Sequence, residues 1–352
     1  LDSRYYTGLI DDVREYDSAL SQGDIAVVMK GQPGLAQGAR PGVGATDVPR
    51  DVVLGWQPGE SAKTHDVYLG TVFDDVNTAS RTDPKGMLVS QGQELTTYSP
   101  TSPLAFGQTY YWRVDEVNTA PDFFTYKGDI WSFTAEPYGS YIKPIKATAS
   151  SYSNALAQPI NTIDGSGLNV LDQHSTSSSQ MWMSKKNVTP IWIQYEFDAV
   201  YSLHEMWVWN QNQMTEPDNG VGAKDVIIEV STDGTAWTAL EGVPEFAQAT
   251  GEPNYVHNTT VEFGGISAKY VKLTILNNWA DGTKQAGLSE VLFFYVPVKA
   301  FGPTPATGAT GVAVDGVLNW RPGHTAVSHE VYLGTDPNGL SKVGTSTDHS
   351  YS

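Results

Sequence analysis

Cysteine is absent from the 352 residues, which excludes disulfides, thiolate metal sites and cysteine nucleophiles. Positive charge is scarce. The 21 Lys and Arg stand against 39 Asp and Glu, a formal net charge of 21 − 39 = −18. So acidic a chain lacks the basic surface that displaces counterions from nucleic acid or attracts an anionic membrane. No apolar run approaches the roughly 18 residues of a spanning helix, so no membrane insertion is expected. Catalytic motifs are missing as well: there is neither a Gly-x-Ser-x-Gly elbow nor a phosphate loop. His204-Glu205 and His329-Glu330 open like a zinc-binding helix. No histidine follows three residues later, however, and both lie in strand-like runs. Acidic pairs are too frequent in this composition to indicate a glycosidase. There is no initiating methionine at Leu1 and no charged-then-apolar leader. The expectation is a segment of a larger protein.

What is abundant points to β structure. Gly 34, Pro 20, Trp 10 and Tyr 18 suit short strands joined by tight turns. An internal repeat organises much of the chain. Residues 44–71, GATDVPRDVVLGWQPGESAKTHDVYLGT, match residues 308–335, GATGVAVDGVLNWRPGHTAVSHEVYLGT, at 17 of 28 positions without a gap. Each copy reads as a strand, a Pro-Gly turn and a second strand. Trp56 and Trp320 are equivalent and expected in the core, and His65 and His329 are likewise equivalent. The first copy continues into TYYWRVDEVN (109–118) and DIWSFTA (129–135), two further alternating runs. Between the copies lie WIQYEF (192–197), EMWVWN (205–210), DVIIEVS (225–231), YVKLTI (270–275) and EVLFFYV (290–296), with a hairpin signal at Asp233-Gly234.

YYWRVDEVN and WSFTA resemble the last strands of a fibronectin type III domain, over residues 40–136. TGLIDDVREYDSALSQGDIAVVMKG resembles the C-terminal end of a laminin-G-like (concanavalin-type) jelly roll, with Ser21 and Asp24 as a helix capping box. The middle of the chain resembles the discoidin family, the coagulation-factor C-type domain shared with bacterial galactose-binding-like modules. The carrying motifs are ATASSYSN (147–154), NTIDGS (161–166), MWMS (181–184), WIQYEFD (192–198), VIIEVSTDGTAW (226–237), AKYVKLTI (268–275) and GLSEVLFF (287–294). The resemblances imply an all-β chain of tandem β-sandwiches with few short helices. They set a laminin-G-like tail at 1–31, a fibronectin type III-like domain at 32–137, a discoidin-type jelly roll at 138–298 and a partial second fibronectin type III-like domain at 299–352.

The discoidin resemblance implies a structural calcium. Asp164 and Glu290 would supply carboxylates, backbone near Asn161 and Ser166 would supply carbonyls, and Ser175 or Thr176 a hydroxyl, with Asp172 as a rival. Calcium takes six to eight such oxygens. The plain alternative is that Asp164-Gly165 is an Asx turn and Glu290 a solvated strand-edge acid. Ligand residues are sought on loops, because strands are occupied by packing. Trp279, in LNNWADGTKQAGLSE, is the one indole in a polar loop, and it either stacks on a sugar ring or folds down over the core. Asn277 and Asn278 beside it, and Asn210 and Asn212 after EMWVWN, offer amides that both donate and accept. His174 and Glu216 are candidates for the same rim.

The function expected is a non-catalytic carbohydrate-binding or adhesive segment of a secreted or cell-surface bacterial protein, with a glycan or polysaccharide as partner. The alternatives are a protein-adhesion or spacer segment with an extracellular protein partner, or the accessory region of a polysaccharide-degrading enzyme. Fold alone does not choose among them.

Overall fold

The computed structural model describes Ala19 and residues 34–120, 124–280 and 284–352. The expected laminin-G-like tail, with its Ser21 and Asp24 capping box, lies outside the described residues apart from Ala19. The chain divides between Pro137 and Tyr138 into two compact units. Both are built of strands, and among the described residues the only α-helices are two of one to two turns. No helix among the described residues is long and apolar enough to cross a membrane.

In the first unit, β1 (Gln37–Arg40), β3 (Leu54–Gln57) and β6 (Thr97–Tyr98) form a small sheet in the order β1-β3-β6. The larger sheet comprises β2 (Ala45–Val48), β4 (Ala62–Gly70), β5 (Leu88–Gln93), β7 (Thr109–Asn118), β8 (Thr125–Tyr126) and β9 (Trp131–Ala135). Its order is β2-β9-β7-β4-β5, with β8 on β7. The alternation of TYYWRVDEVN sends Trp112 and Val114 inward. There they meet Leu54, Trp56, Val67, Trp131 and Phe133. The indoles of Trp56, Trp112 and Trp131 pack edge to face, at centroid distances of 6.3 and 4.7 Å.

The opposite face of β7 is buried too, which alternation alone does not anticipate. Helix α1 (Phe73–Thr78) and the chain after it cover that face. Arg113 there donates to the carbonyls of Val76, Asn77 and Ala79 and pairs with Asp115 at 2.8 Å. Its guanidinium lies 4.2 Å from the Tyr68 ring centroid. Asp66 is likewise buried and holds Arg81 at 2.5 and 2.9 Å. Every buried charge in this layer has a partner of opposite sign, as its desolvation requires.

In the second unit, β10 (Ser140–Ile142), β11 (Lys146–Ala149), β12 (Trp182–Met183), β13 (Ile191–Asn210), β14 (Val226–Ser231), β15 (Thr238–Ala239), β16 (Thr259–Ile275) and β17 (Gly287–Tyr295) make one continuous sheet. The two runs expected at 192–197 and 205–210 are one 20-residue strand. β13 and β16 pair along their length, with register shifts at 196/201 and 203/205. Gly264 and Gly265, both at positive φ, sit opposite the second shift. β11 and β14 extend one half of this ribbon, and β17 extends the other. Residues of both halves, Ile193, Tyr195 and Leu273 on one side and Met206, Val208 and Phe293 on the other, share one core. The ribbon therefore serves both layers of a sandwich, and its two ends meet at one rim. The Asp233-Gly234 hairpin joins β14 to β15 as expected, with Gly234 at φ 78°.

The second repeat copy follows as β18 (Phe301–Thr304), β19 (Leu318–Arg321), β20 (His329–Leu333), β21 (Ser341–Ser346) and β22 (Ser350–Tyr351). β18-β19-β22 repeats the order β1-β3-β6, and β20-β21 repeats the β4-β5 pair. Trp320, expected in the core, is only half-buried. Among the described residues, no strand stands where β7 and β9 stand beside the first copy.

Candidate functional site

The rim of the second unit gathers the segment before β13, the loop that leads from β13 into β14 and the chain between β16 and β17. Gly222 bridges Gly287, and Ala223 bridges Asn278. These contacts close one side of an open cleft of about 690 Å³. Pro190, Leu276 and Ala280 give it apolar patches; Lys224, Asp225, Asn277, Asn278 and Lys284 give it polar groups.

The sequence-predicted ligand residues divide across this rim. Asn277 and Asn278 line the cleft, where Asn277 Nδ2 donates to Asp225 Oδ2 at 2.6 Å and Asn278 Nδ2 to the Gln285 carbonyl at 2.6 Å. Trp279 is half-buried beside it. Its indole N–H donates to the Phe246 carbonyl at 3.0 Å, and the Lys224 ammonium lies 4.5 Å from its ring centroid. The ring is thus pinned at its edge and capped by a cation on one face.

Asn210 and Asn212 require correction, because both are fully buried. Asn210 Nδ2 donates to the carbonyls of Ala223 and Ala247 at 2.7 and 2.8 Å, and its Oδ1 accepts the Gln211 N–H. Asn212 Nδ2 donates to Glu252 O at 2.8 Å, and its Oδ1 accepts Gly251 N–H. A shift in register where β13 leaves β17 accompanies the turn of this Asn-Gln-Asn run inward, where the two asparagine amides tie loops together and the Gln211 amide is buried without a hydrogen-bond partner. His174 and Glu216 are also buried away from the rim surface. His174 Nδ1 contacts the Ser175 carbonyl at 2.8 Å, and burial holds its pKa below the usual imidazole value. Glu216 accepts the N–H groups of Val221 and Gly222 at 3.0 and 2.9 Å, and burial pushes its carboxyl up to about 7.

The predicted metal residues lie on a neighbouring part of the rim. Asp164 Oδ1 accepts Ser166 N–H at 2.8 Å, which is the Asx turn. Glu290, read alternatively as a solvated edge acid, is instead fully buried. Its Oε2 accepts Gly165 N–H at 3.2 Å, while Oε1 is buried without a hydrogen-bond partner. Burial, reinforced by the Asp164 charge, pushes the Glu290 carboxyl up to about 8. Gln180 spans the remaining oxygens, donating to the Ser166 carbonyl and accepting from Ser175 Oγ, both at 2.5 Å. Asn161 is buried, with its amide directed at three carbonyls at 2.6–3.1 Å. Asp172 points elsewhere: its carbonyl accepts Trp209 Nε1, and its carboxylate acts on His257. Glu290 thus carries an orphaned buried carboxylate oxygen within electrostatic reach of a second carboxylate, Asp164, and carboxylate oxygens are what a hard divalent cation takes. A separate trio on the outer sheet face, His204, Glu205 and Glu262, brings ligand atoms within 4.8 Å of one another; there Glu205 accepts the Trp207 indole N–H at 3.1 Å.

Sequence reasoning missed Lys224, Asp225 and Lys284. The charged pair Lys224-Asp225 ahead of VIIEVS marks a strand start but carries no signal that a cleft lies beside it. Lys284 is brought there by tertiary contacts of its segment, the pairing of Gly287 with Gly222 and the Asn187 N–H that donates to its carbonyl at 2.9 Å.

Residues 146–291 match the model of the F5/8 type C domain family. No curated protein matches the chain. Among solved structures, the chain is similar to CBM32-3 from a family 31 glycoside hydrolase of Clostridium perfringens, at 23% identity and TM-score 0.32, covering 44% of this chain and 90% of that one. It is similar to a pectin-binding carbohydrate-binding module at 21% identity and TM-score 0.31, covering 43% and 90%. It is also similar to the family 32 module of Clostridium perfringens NanJ, solved with galactose, at 16% identity and TM-score 0.31, covering 42% and 92%.

Proposed function

We propose that the F5/8 type C domain binds a glycan at its rim cleft and performs no chemistry on it. The observation that carries this reading is the lining of the cleft. Asn277, Asn278, Lys224 and Lys284 present amide and ammonium donors around small apolar patches at Pro190, Leu276 and Ala280. Sugar rings offer the complement, hydroxyls around their edges and C–H groups on their faces. Trp279 contributes by holding Lys224 at the cleft wall. We further propose that Glu290, Asp164, Ser166 and Ser175 hold a structural calcium. The ion would supply charge to the buried Glu290 carboxylate and join the loop at 164–166 to β17. The domain then belongs to a secreted or surface protein, spaced by the repeat-bearing regions on either side.

Affinity electrophoresis of the full chain through gels containing galactan, pectin or alginate tests this. Retardation by at least one polymer, reduced about tenfold or more by Asn277→Ala with Lys224→Ala, is the expected result. Absence of retardation by any glycan, on these gels and on an array, overturns it in favour of a protein-adhesion role.

A further inference from the structure

The outer sheet face of the second unit carries a further group of ligand-bearing side chains, apart from the rim. On an ordinary strand His204 and Glu205 would point to opposite faces. Here β13 is bulged: Leu203 pairs with Tyr295 and Glu205 with Phe294, so two steps along β13 match one along β17. The bulge brings the His204 ring out beside Glu205, and Glu262 reaches them from β16 as the cross-strand partner of Glu205. Ligand atoms of all three lie within 4.8 Å of one another. The His-Glu pair that no histidine follows in the sequence thus gains its third donor from another strand. Two of the donors are held in place. The Tyr138 ring meets the His204 ring edge to face at 4.9 Å, and the backbone at Gly139 passes so close that a Cβ there would lie 2.7 Å from His204 Cδ2. Glu205 Oε1 accepts the Trp207 indole N–H at 3.1 Å. Charge at this point is unbalanced. Elsewhere on the sheet a glutamate meets a lysine: Glu229 lies opposite Lys272 with 3.1 Å between the charges, and Glu196 is 4.0 Å from Lys269. Glu205 faces Glu262 instead, a like-charge pair that opposes strand pairing, and among the described residues neither has a Lys or Arg partner.

We propose that His204, Glu205 and Glu262 form a binding site for a divalent transition-metal ion of the zinc type. A neutral imidazole and two carboxylates cancel the charge of the ion, and three protein donors with the remaining position open to solvent is a coordination that zinc accepts. An imidazole donor disfavours calcium, which takes oxygens, so this site and the calcium proposed at Glu290 differ in ion as well as in place. Zinc holds nitrogen and oxygen ligands at about 2.0–2.2 Å, which sets the ligand atoms roughly 3–3.5 Å apart. The Glu262 side chain is exposed and free to close the trio to that spacing. The ion joins β13 to β16 where the register of β13 shifts against both of its neighbours and the ladder is interrupted. Bound there, it staples the ribbon at its bulge and replaces repulsion between the two glutamates by attraction. The site rests on no property of the rim cleft.

Titration of the full chain with zinc in excess calcium tests the proposal, with calorimetry for affinity and amide hydrogen exchange of residues 203–206 and 260–263 as the local readout. Zinc binding should persist in calcium, and at saturation exchange at those residues should slow by about tenfold or more. His204→Ala should weaken the binding about tenfold or more, and so should Glu262→Gln, which is isosteric at an exposed position and leaves the fold intact. His329→Ala removes an imidazole that meets His349 at 5.6 Å in the second repeat copy, and should leave the binding unchanged. Three results would overturn the proposal: no zinc binding in excess calcium, equal affinity of the chain and Glu262→Gln, or loss of binding in His329→Ala with none in His204→Ala. Slowing spread over the acidic surface without a maximum at 203–206 and 260–263 would likewise overturn it, as an adventitious ion only.

Discussion

The two repeat copies share 17 of 28 residues yet differ in what their side chains experience. Tyr68 is 1% exposed and Tyr332 47%. Trp56 is 3% exposed, whereas Trp320 is half-buried. Asp66 is sealed against Arg81, whereas its counterpart Glu330 holds Lys342 in solvent at 2.6 Å. The local conformation, a strand, a Pro-Gly turn and a strand, is the same. The comparison teaches that the 28-residue segment encodes its own backbone and ring geometry, while burial comes from strands that lie far away in sequence.

The most severe way to break this comparison is at the equivalent indoles. Trp56→Ala removes the centre of a closed core and should destabilise the first unit by about 3–5 kcal/mol, whereas Trp320→Ala should cost about 1 kcal/mol or less. Denaturant titration followed by unit-resolved hydrogen exchange checks both, and equal costs would show that the second copy is closed as well. A smaller difference is expected at the histidines. Glu116→Ala leaves His65 buried without its carboxylate and should cost about 1–3 kcal/mol. His329→Ala, where no glutamate is opposite, should stay within about 1 kcal/mol. The smallest effect is a pH dependence. Burial, with the nearby His349 charge adding to it, holds the His329 pKa below its ordinary value. The unfolded state then binds more protons, so stability of the β20–β21 hairpin is full above about pH 6.5 and falls as pH drops through it. Hydrogen exchange of residues 329–333 at pH 7.5 and 5.5, corrected for intrinsic rates, should show faster opening at the lower pH. Loss of that difference in His329→Ala would identify the group.

Much of the strand content was legible. The runs 109–118 and 225–231 become β7 and β14 almost residue for residue, because period-two alternation reflects one buried face directly. Where both faces are covered, alternation does not show it: Arg113, Asp115 and Glu116 lie on one alternating strand and all three are buried, Arg113 paired with Asp115 and Glu116 hydrogen-bonded to the His65 ring. The rim was legible in part. Asn277, Asn278 and Trp279 were found because a polar loop with an indole has no period to hide it, and the Asp164–Glu290 association was implied by family resemblance. Asn210 and Asn212 misled because exposed and buried amides look identical in sequence. Only the carbonyls they meet, at 223, 247 and 252, distinguish the two.

By itself the sequence determined the strands, the turns, the absence of thiol chemistry and the existence of two like copies, because these follow from side-chain alternation, backbone preference and composition. Only the tertiary structure decided which amides reach the cleft and that Glu290 is buried. Each of those depends on which distant strand or loop arrives beside a residue, and hence on how much water its polar atoms lose.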